Sequence, residues 1–164
     1  MKNIFLTGIP CVGKTTILER YLERSNIRTG GYFTTREITE TSRAFWLNDR
    51  VTLESRLMAR MVDGEFNVNL AAFDEFAVSA ITRPRDLLVL DELGRFEEPC
   101  EPFKRAVFDA LDGGTVVTGV LKECDTPFVN SIKARNDVAV LIVTEENREE
   151  MFLRFCELIN SAFS

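Results

Sequence analysis

The 164-residue chain contains no histidine. That removes the commonest general base and the commonest zinc ligand. Cysteine is sparse and unpatterned: Cys11, Cys100, Cys124 and Cys156 lie far apart, with no C-x-x-C pair. Without a secretory signal, reduced thiols in a cytosolic protein are the expected state, and Cys100, Cys124 and Cys156 read as small apolar packing groups. Long apolar runs are missing too. Met1-Lys2-Asn3 leads into only about four apolar residues before Gly8, too few for a signal core or a membrane span, so a cytoplasmic protein with no membrane partner is expected. Positive charge is in short supply, with 20 Lys+Arg against 26 Asp+Glu and a net charge of −6. Such a chain repels polyphosphate backbones at long range, and no basic run or aromatic-basic stripe offsets this, so nucleic acid is not expected as a partner. Any phosphate must be captured locally, by a few cations and backbone N–H groups.

What is present is an ordinary globular composition, 45% apolar and 28% charged. The length suits a single nucleotide-sized domain over residues 1–164, with no internal repeat, low-complexity segment or dividing linker. "NIFLTG" (3–8) reads as a buried strand and Lys14 to Arg24 as an amphipathic helix. "YFTTREI" (32–38), "RAFWLN" (43–48) and "VTLESR" (51–56) alternate like exposed antiparallel strands. Asn69 is positioned to cap a helix through Thr82, with Leu70, Phe73, Phe76, Ala77 and Ala80 on one stripe and Pro84 as its stop. "DLLVLDE" (86–92) is a continuous apolar run of the kind buried on both faces of a parallel sheet. A helix begins near Pro102 and ends at "DGG", with Phe103, Val107, Ala110 and Leu111 inward. Then come a strand at 115–121, a short helix at 126–135 opened by Thr126 and Pro127, a strand at 138–143 and a long final helix. Four strongly apolar strands separated by helices predict an α/β fold: a mainly parallel sheet with an antiparallel excursion around residues 32–56.

Gly8-Ile9-Pro10-Cys11-Val12-Gly13-Lys14-Thr15, followed by Thr16, matches the phosphate-loop pattern G-x-x-x-x-G-K-[ST]. Each position has a physical reason. The glycines allow backbone dihedrals that turn successive N–H groups inward around an anion. The helix beginning near Gly13 adds unsatisfied N–H groups and the positive end of its dipole. Lys14 is placed to reach the β and γ phosphates, and the Thr15 hydroxyl to ligate Mg²⁺. A buried strand before the loop and an amphipathic helix after it supply the context the motif needs. Cys11 is expected to serve through its backbone N–H, although a thiol this near a helix N-terminus is also open to activation.

A phosphate loop needs an acid for its metal. Asp91 and Glu92 close the apolar run at the carboxyl end of a strand, where α/β folds place ligands. Asp91 is the candidate to hold Mg²⁺. Glu92 is the candidate to orient and deprotonate a water, because adjacent side chains on a strand diverge. Arg95, just beyond Gly94, is a candidate to stabilise charge on the γ-phosphate, or else a surface arginine pairing with Glu97 or Glu98.

On these motifs the chain resembles the small P-loop nucleoside-triphosphatases, a family represented in thermophiles and by a cancer-related human enzyme. The family's Asp-Glu-Ile-Gly-Lys-Met-Glu motif is matched by Asp91-Glu92-Leu93-Gly94-Arg95-Phe96-Glu97. Its Gly-Phe-x-Thr-Glu segment resembles Gly31 to Thr35, and its Thr-x-Glu-Asn-Arg element is matched by Thr144 to Arg148. Departures are Cys11, where glycine is usual, and the Arg43-Ala44-Phe45 stretch, a loose match to Arg-x-Gly-Phe. The resemblance implies a three-layer P-loop fold and Mg²⁺-dependent hydrolysis of ATP, GTP and other triphosphates to diphosphate and phosphate, with little base preference. It also implies a γ-phosphate role for Arg95. Two other functions stay open. One is a kinase passing the γ-phosphoryl to a small acceptor, served by Arg36, Arg43, Arg50, Arg56 or Arg60. The other is a nucleotide-gated binding switch. Phe33, Phe45, Trp46, Phe66 and Phe73, with Pro127 and Phe128, are possible base contacts or core.

Overall fold

A computed structural model describes residues 2–164. The chain runs β1 (Asn3–Thr7), α1 (Lys14–Leu22), β2 (Thr29–Ile38), β3 (Arg43–Asp49), β4 (Ser55–Val62) and β5 (Glu65–Val68). A π-helical segment (Ala72–Ala77) leads directly into α2 (Val78–Thr82). Then come β6 (Leu87–Leu93), α3 (Glu101–Asp112), β7 (Val116–Leu121), α4 (Pro127–Lys133), β8 (Val138–Ile142) and α5 (Arg148–Ala162). The strands form one sheet in the order β5-β4-β3-β2-β6-β7-β1-β8.

The continuous apolar runs are explained by what covers the sheet. Along β6, Leu88 and Leu90 enter one core while Leu87 and Val89 enter the other. Phe5 of β1 likewise faces the first core, and its neighbours Ile4 and Leu6 the second. The π segment, α3 and α4 fill the first core with Phe73, Phe103 and Phe128; α1 and α5 fill the second with Ile17, Leu18, Phe152 and Phe155. A strand covered on both faces has no polar side to show, hence no alternation. The result is the three-layer α/β architecture.

Three expectations need correction. The parallel part holds five strands, because β2 pairs parallel with β6, Thr29 to Phe33 against Leu87 to Asp91. The antiparallel part therefore starts at the β2–β3 pairing and runs on through β5, beyond residue 56. "VTLESR" is a strand only in its last two residues. Asp49 sits fully buried and accepts the N–H groups of Val51 at 2.8 Å and Thr52 at 3.0 Å, which curls 50–54 into a turn. Leu53 there has a positive φ of 60°, incompatible with an extended strand. The strand resumes at Ser55 and returns through a tight turn at Asp63-Gly64, both at positive φ, into β5.

The helix expected from Asn69 to Thr82 is continuous, but its π turn rotates the buried face. Phe73, Ala77 and Ala80 are buried as the stripe requires; Leu70 is 45% exposed, and Ala72 and Ile81 go inward. Asn69 does not cap through its side chain. Its Nδ2 donates to the Leu57 carbonyl at 2.9 Å and ties the helix start to β4. Thr126 does cap, accepting from Val129 N–H at 3.3 Å. Among the described residues no helix is long and apolar enough to cross a membrane.

Candidate active site

Strand β1 lies inside the sheet, between β7 and β8, and the loop after it opens at the carboxyl ends of the parallel strands. Gly8 has φ 136°, and a Cβ there would strike the Val143 carbonyl, so only glycine fits. Gly13 takes a left-handed conformation and opens α1, whose first bond runs from Ile17 N–H to the Gly13 carbonyl at 3.0 Å. Cys11 also has a positive φ, 65°. Val12 is buried and anchors the loop, while Ile9, Pro10, Cys11, Thr15 and Thr16 are exposed to an approaching ligand.

Lys14 is almost fully buried and curls back over the loop, donating to the carbonyls of Gly8 and Ile9 at 2.6 Å each. Burial lowers the pKa of its ammonium, against the opposing charges of Glu92, Glu123 and Asp91. Strand β6 is two places from β1, on the order of 10 Å in a sheet. Helix α1 crosses that gap: the Thr15 hydroxyl donates to Asp91 Oδ1 at 3.3 Å. Burial pushes the Asp91 carboxyl up to about 6, the Thr15 bond working against the rise and the charge of Glu92 adding to it. The donor set of hydroxyl and carboxylate oxygen suits a hard dication such as Mg²⁺.

Glu92 is half-exposed and pairs with Lys122 Nζ at 3.3 Å. Lys122 was not among the residues picked from the sequence. It follows the last residue of β7, the strand between β1 and β6, and its N–H donates to the Leu93 carbonyl at 2.8 Å. The available signal was its position, a lysine directly after a strand that is buried along its whole length. Tyr32 adds a hydroxyl bond to the Glu92 carbonyl at 3.3 Å.

Arg95 stands apart from this group. It is exposed and rests 5.7 Å from the ring centroids of both Phe66 and Phe96, with no ion pair to Glu97 or Glu98 among the described residues. The other arginines weighed for an acceptor are scattered: Arg50 is bound to Glu19 at 2.9 and 3.0 Å, and Arg56 lies over Phe76. Of these five, Arg36 reaches the loop, its Nη2 lying 3.4 Å from Cys11 Sγ, while Arg148 lies against Gly13 at the other end of the loop. Of the aromatics, Phe73 and Phe128 are core, and Phe45 and Phe66 cluster with Phe96. Beside the loop, a cleft of about 80 Å³ is lined by Gly13, Thr16, Ile17, Arg20, Arg148 and Glu149.

A family model described as NTPase matches residues 3–155. The nucleoside-triphosphatase THEP1 of Thermotoga maritima is 32% identical over 161 residues, covering 91% of this chain and 90% of its own. The cancer-related nucleoside-triphosphatase homolog of Bos taurus is 32% identical over 177 residues, covering 92% of each chain. The solution structure of a human cancer-related nucleoside triphosphatase superposes with a TM-score of 0.80 at 25% identity, over 98% of both chains.

Proposed function

Because the chain belongs to this family of small P-loop nucleoside-triphosphatases, we propose that it is a Mg²⁺-dependent nucleoside-triphosphatase that hydrolyses ATP, GTP and related triphosphates to diphosphate and phosphate. The observation that carries the reading is the Thr15–Asp91 bond, which joins the phosphate loop to the acid-bearing end of β6 across an intervening strand. A carboxylate at the end of β6 bonded to the first hydroxyl of α1 is the pairing that a metal-bound triphosphate calls for.

The residues divide the work. The N–H groups from Ile9 to Thr16 cradle the phosphates, and Lys14 exchanges the carbonyls of Gly8 and Ile9 for phosphate oxygens. Thr15 and Asp91 would hold Mg²⁺, which when bound would supply positive charge to neutralise the phosphates. Glu92 orients a water on the far side of the γ-phosphorus and takes its proton as the bond to the diphosphate breaks. Lys122 keeps the Glu92 carboxylate fixed in position. Arg95 reaches the γ-phosphate only by leaving the rings of Phe66 and Phe96.

Purified protein with Mg²⁺ should release phosphate from ATP and GTP. Lys14→Ala should abolish release, and Glu92→Gln should cut kcat by about 100-fold or more while nucleotide still binds. Full activity in Glu92→Gln would remove Glu92 as the base. An inert parent protein that nevertheless takes up Mg²⁺–nucleotide would overturn the hydrolase reading.

A further inference from the structure

We infer that Arg36 supplies the positive charge on the γ-phosphate during hydrolysis, an inference that rests on the triphosphatase reading above. Three observations carry it. The first is position. Strand β2 outruns its parallel neighbour: its last residue paired to β6 is Phe33, opposite Asp91, while Thr34 to Ile38 pair only with β3. That overhang projects past the carboxyl ends of the parallel strands, where the loop and the acids lie. Arg36 sits in the middle of it, opposite Phe45 in an unbroken run of paired residues, so its backbone is fixed by the sheet.

The second is contact. The Arg36 guanidinium meets the phosphate loop at Cys11, midway between Gly8 and Gly13, with Nη2 3.4 Å from Sγ. The loop's amides face the bound anion, so a group at the exposed centre of the loop borders the terminal phosphate. A thiol is a weak acceptor, and trading it for a phosphate oxygen costs little.

The third is freedom from other partners. Arg20, Arg50, Arg83 and Arg135 are each held in ion pairs, to Glu149, Glu19, Asp49, and Asp112 with Asp137. Arg36 has no carboxylate partner among the described residues; Arg95 is engaged by aromatic rings, and Arg148 lies against Gly13 at the start of α1 rather than at the centre of the loop. A planar guanidinium contributes most where charge spreads over the γ-phosphoryl oxygens as the bond to the diphosphate loosens. Arg36 thus acts chiefly on the transition state.

The test compares parent, Arg36→Ala and Arg36→Lys by phosphate release from ATP with Mg²⁺. It adds titration with a fluorescent ADP analogue, with and without aluminium fluoride as a mimic of the transferring phosphoryl. Matched melting temperatures establish that the variants are folded, as an exposed position allows. Arg36→Ala should lose about 100–1000-fold in kcat. Its KM and ADP affinity should stay within about threefold, and aluminium fluoride should no longer tighten ADP binding. Arg36→Lys should recover part of the rate. A kcat for Arg36→Ala within about threefold of the parent overturns the inference, as does a loss confined to ADP affinity. An active parent with an active Arg36→Ala sinks this inference alone, whereas a parent that hydrolyses no triphosphate sinks the hydrolase reading and this one together.

Discussion

Glu97 is buried, and among the described residues its Oε2 has no hydrogen-bond partner. Burial pushes its carboxyl up to about 7; the N–H groups of Glu97 and Gly94 oppose the rise and the charge of Glu92 adds to it. A folded-state value above the ordinary 4.5 means that folding favours the protonated form. Stability from this residue is complete below about 4.5 and is lost as pH climbs through about 7, a change of about 3 kcal/mol. Glu97→Gln should therefore be more stable than the parent at pH 8, and its stability should fall less between pH 5 and 8. Urea unfolding at those two pH values checks this, and identical slopes for parent and variant would refute it. Residues inside the phosphate loop and the Asp91-Glu92 pair were legible because their chemistry is written in contiguous positions. Lys122 was not, and Arg36 stood out only as one of five arginines open to serve a phosphoryl acceptor. Each matters through a contact to a residue far away in the chain, Lys122 to Glu92 and Arg36 to Cys11, and neither has a local spacing to mark it.

Elements with one dominant period were also legible. Helix α3 begins at Pro102's turn and ends before Gly113, and its inward Phe103, Val107 and Leu111 follow the 3.6-residue repeat. The β3–β4 connection was misread because Val51, Thr52 and Leu53 look like strand, while the deciding group is the side chain of Asp49. That carboxylate is buried, caps two N–H groups of the turn and pairs with Arg83, which follows α2. Burial favours its neutral form, but the Thr52 and Val51 N–H groups and the Arg83 guanidinium outweigh this and hold it below the ordinary aspartate range. Asp49→Ala would strand two amides and a guanidinium, and should cost about 3 kcal/mol. Asp49→Asn, which keeps an oxygen acceptor, should cost less. Equal stability of parent and Asp49→Ala in urea would show that the turn forms without it. The Asp63-Gly64 hairpin between β4 and β5 carries a readable signal, an acidic residue followed by glycine.

At the scale of the whole molecule, the site exists only because the chain order places β7 between β1 and β6. Loop and acids come together through α1, which spans that strand, and Lys122 sits at the end of the strand that separates them. Ligand binding should therefore stabilise the whole fold. Mg²⁺ with a triphosphate at about 100 times Kd should raise Tm by roughly 5–10 °C, and chelating the metal should cancel most of the shift and stop phosphate release. Lys14→Ala should show no such shift; a parent whose Tm ignores Mg²⁺–nucleotide would contradict the proposed site. The amino-acid sequence alone determined the layered α/β class, the glycine-rich loop motif after β1 and the acidic pair that closes β6, because periodicity and motif spacing act over a few residues. Tertiary structure alone decided which strand lies beside which, where the antiparallel strands leave the parallel set, and which distant cations meet the loop and the acids. Those outcomes depend on contacts between residues far apart in the chain, and local pattern does not encode them.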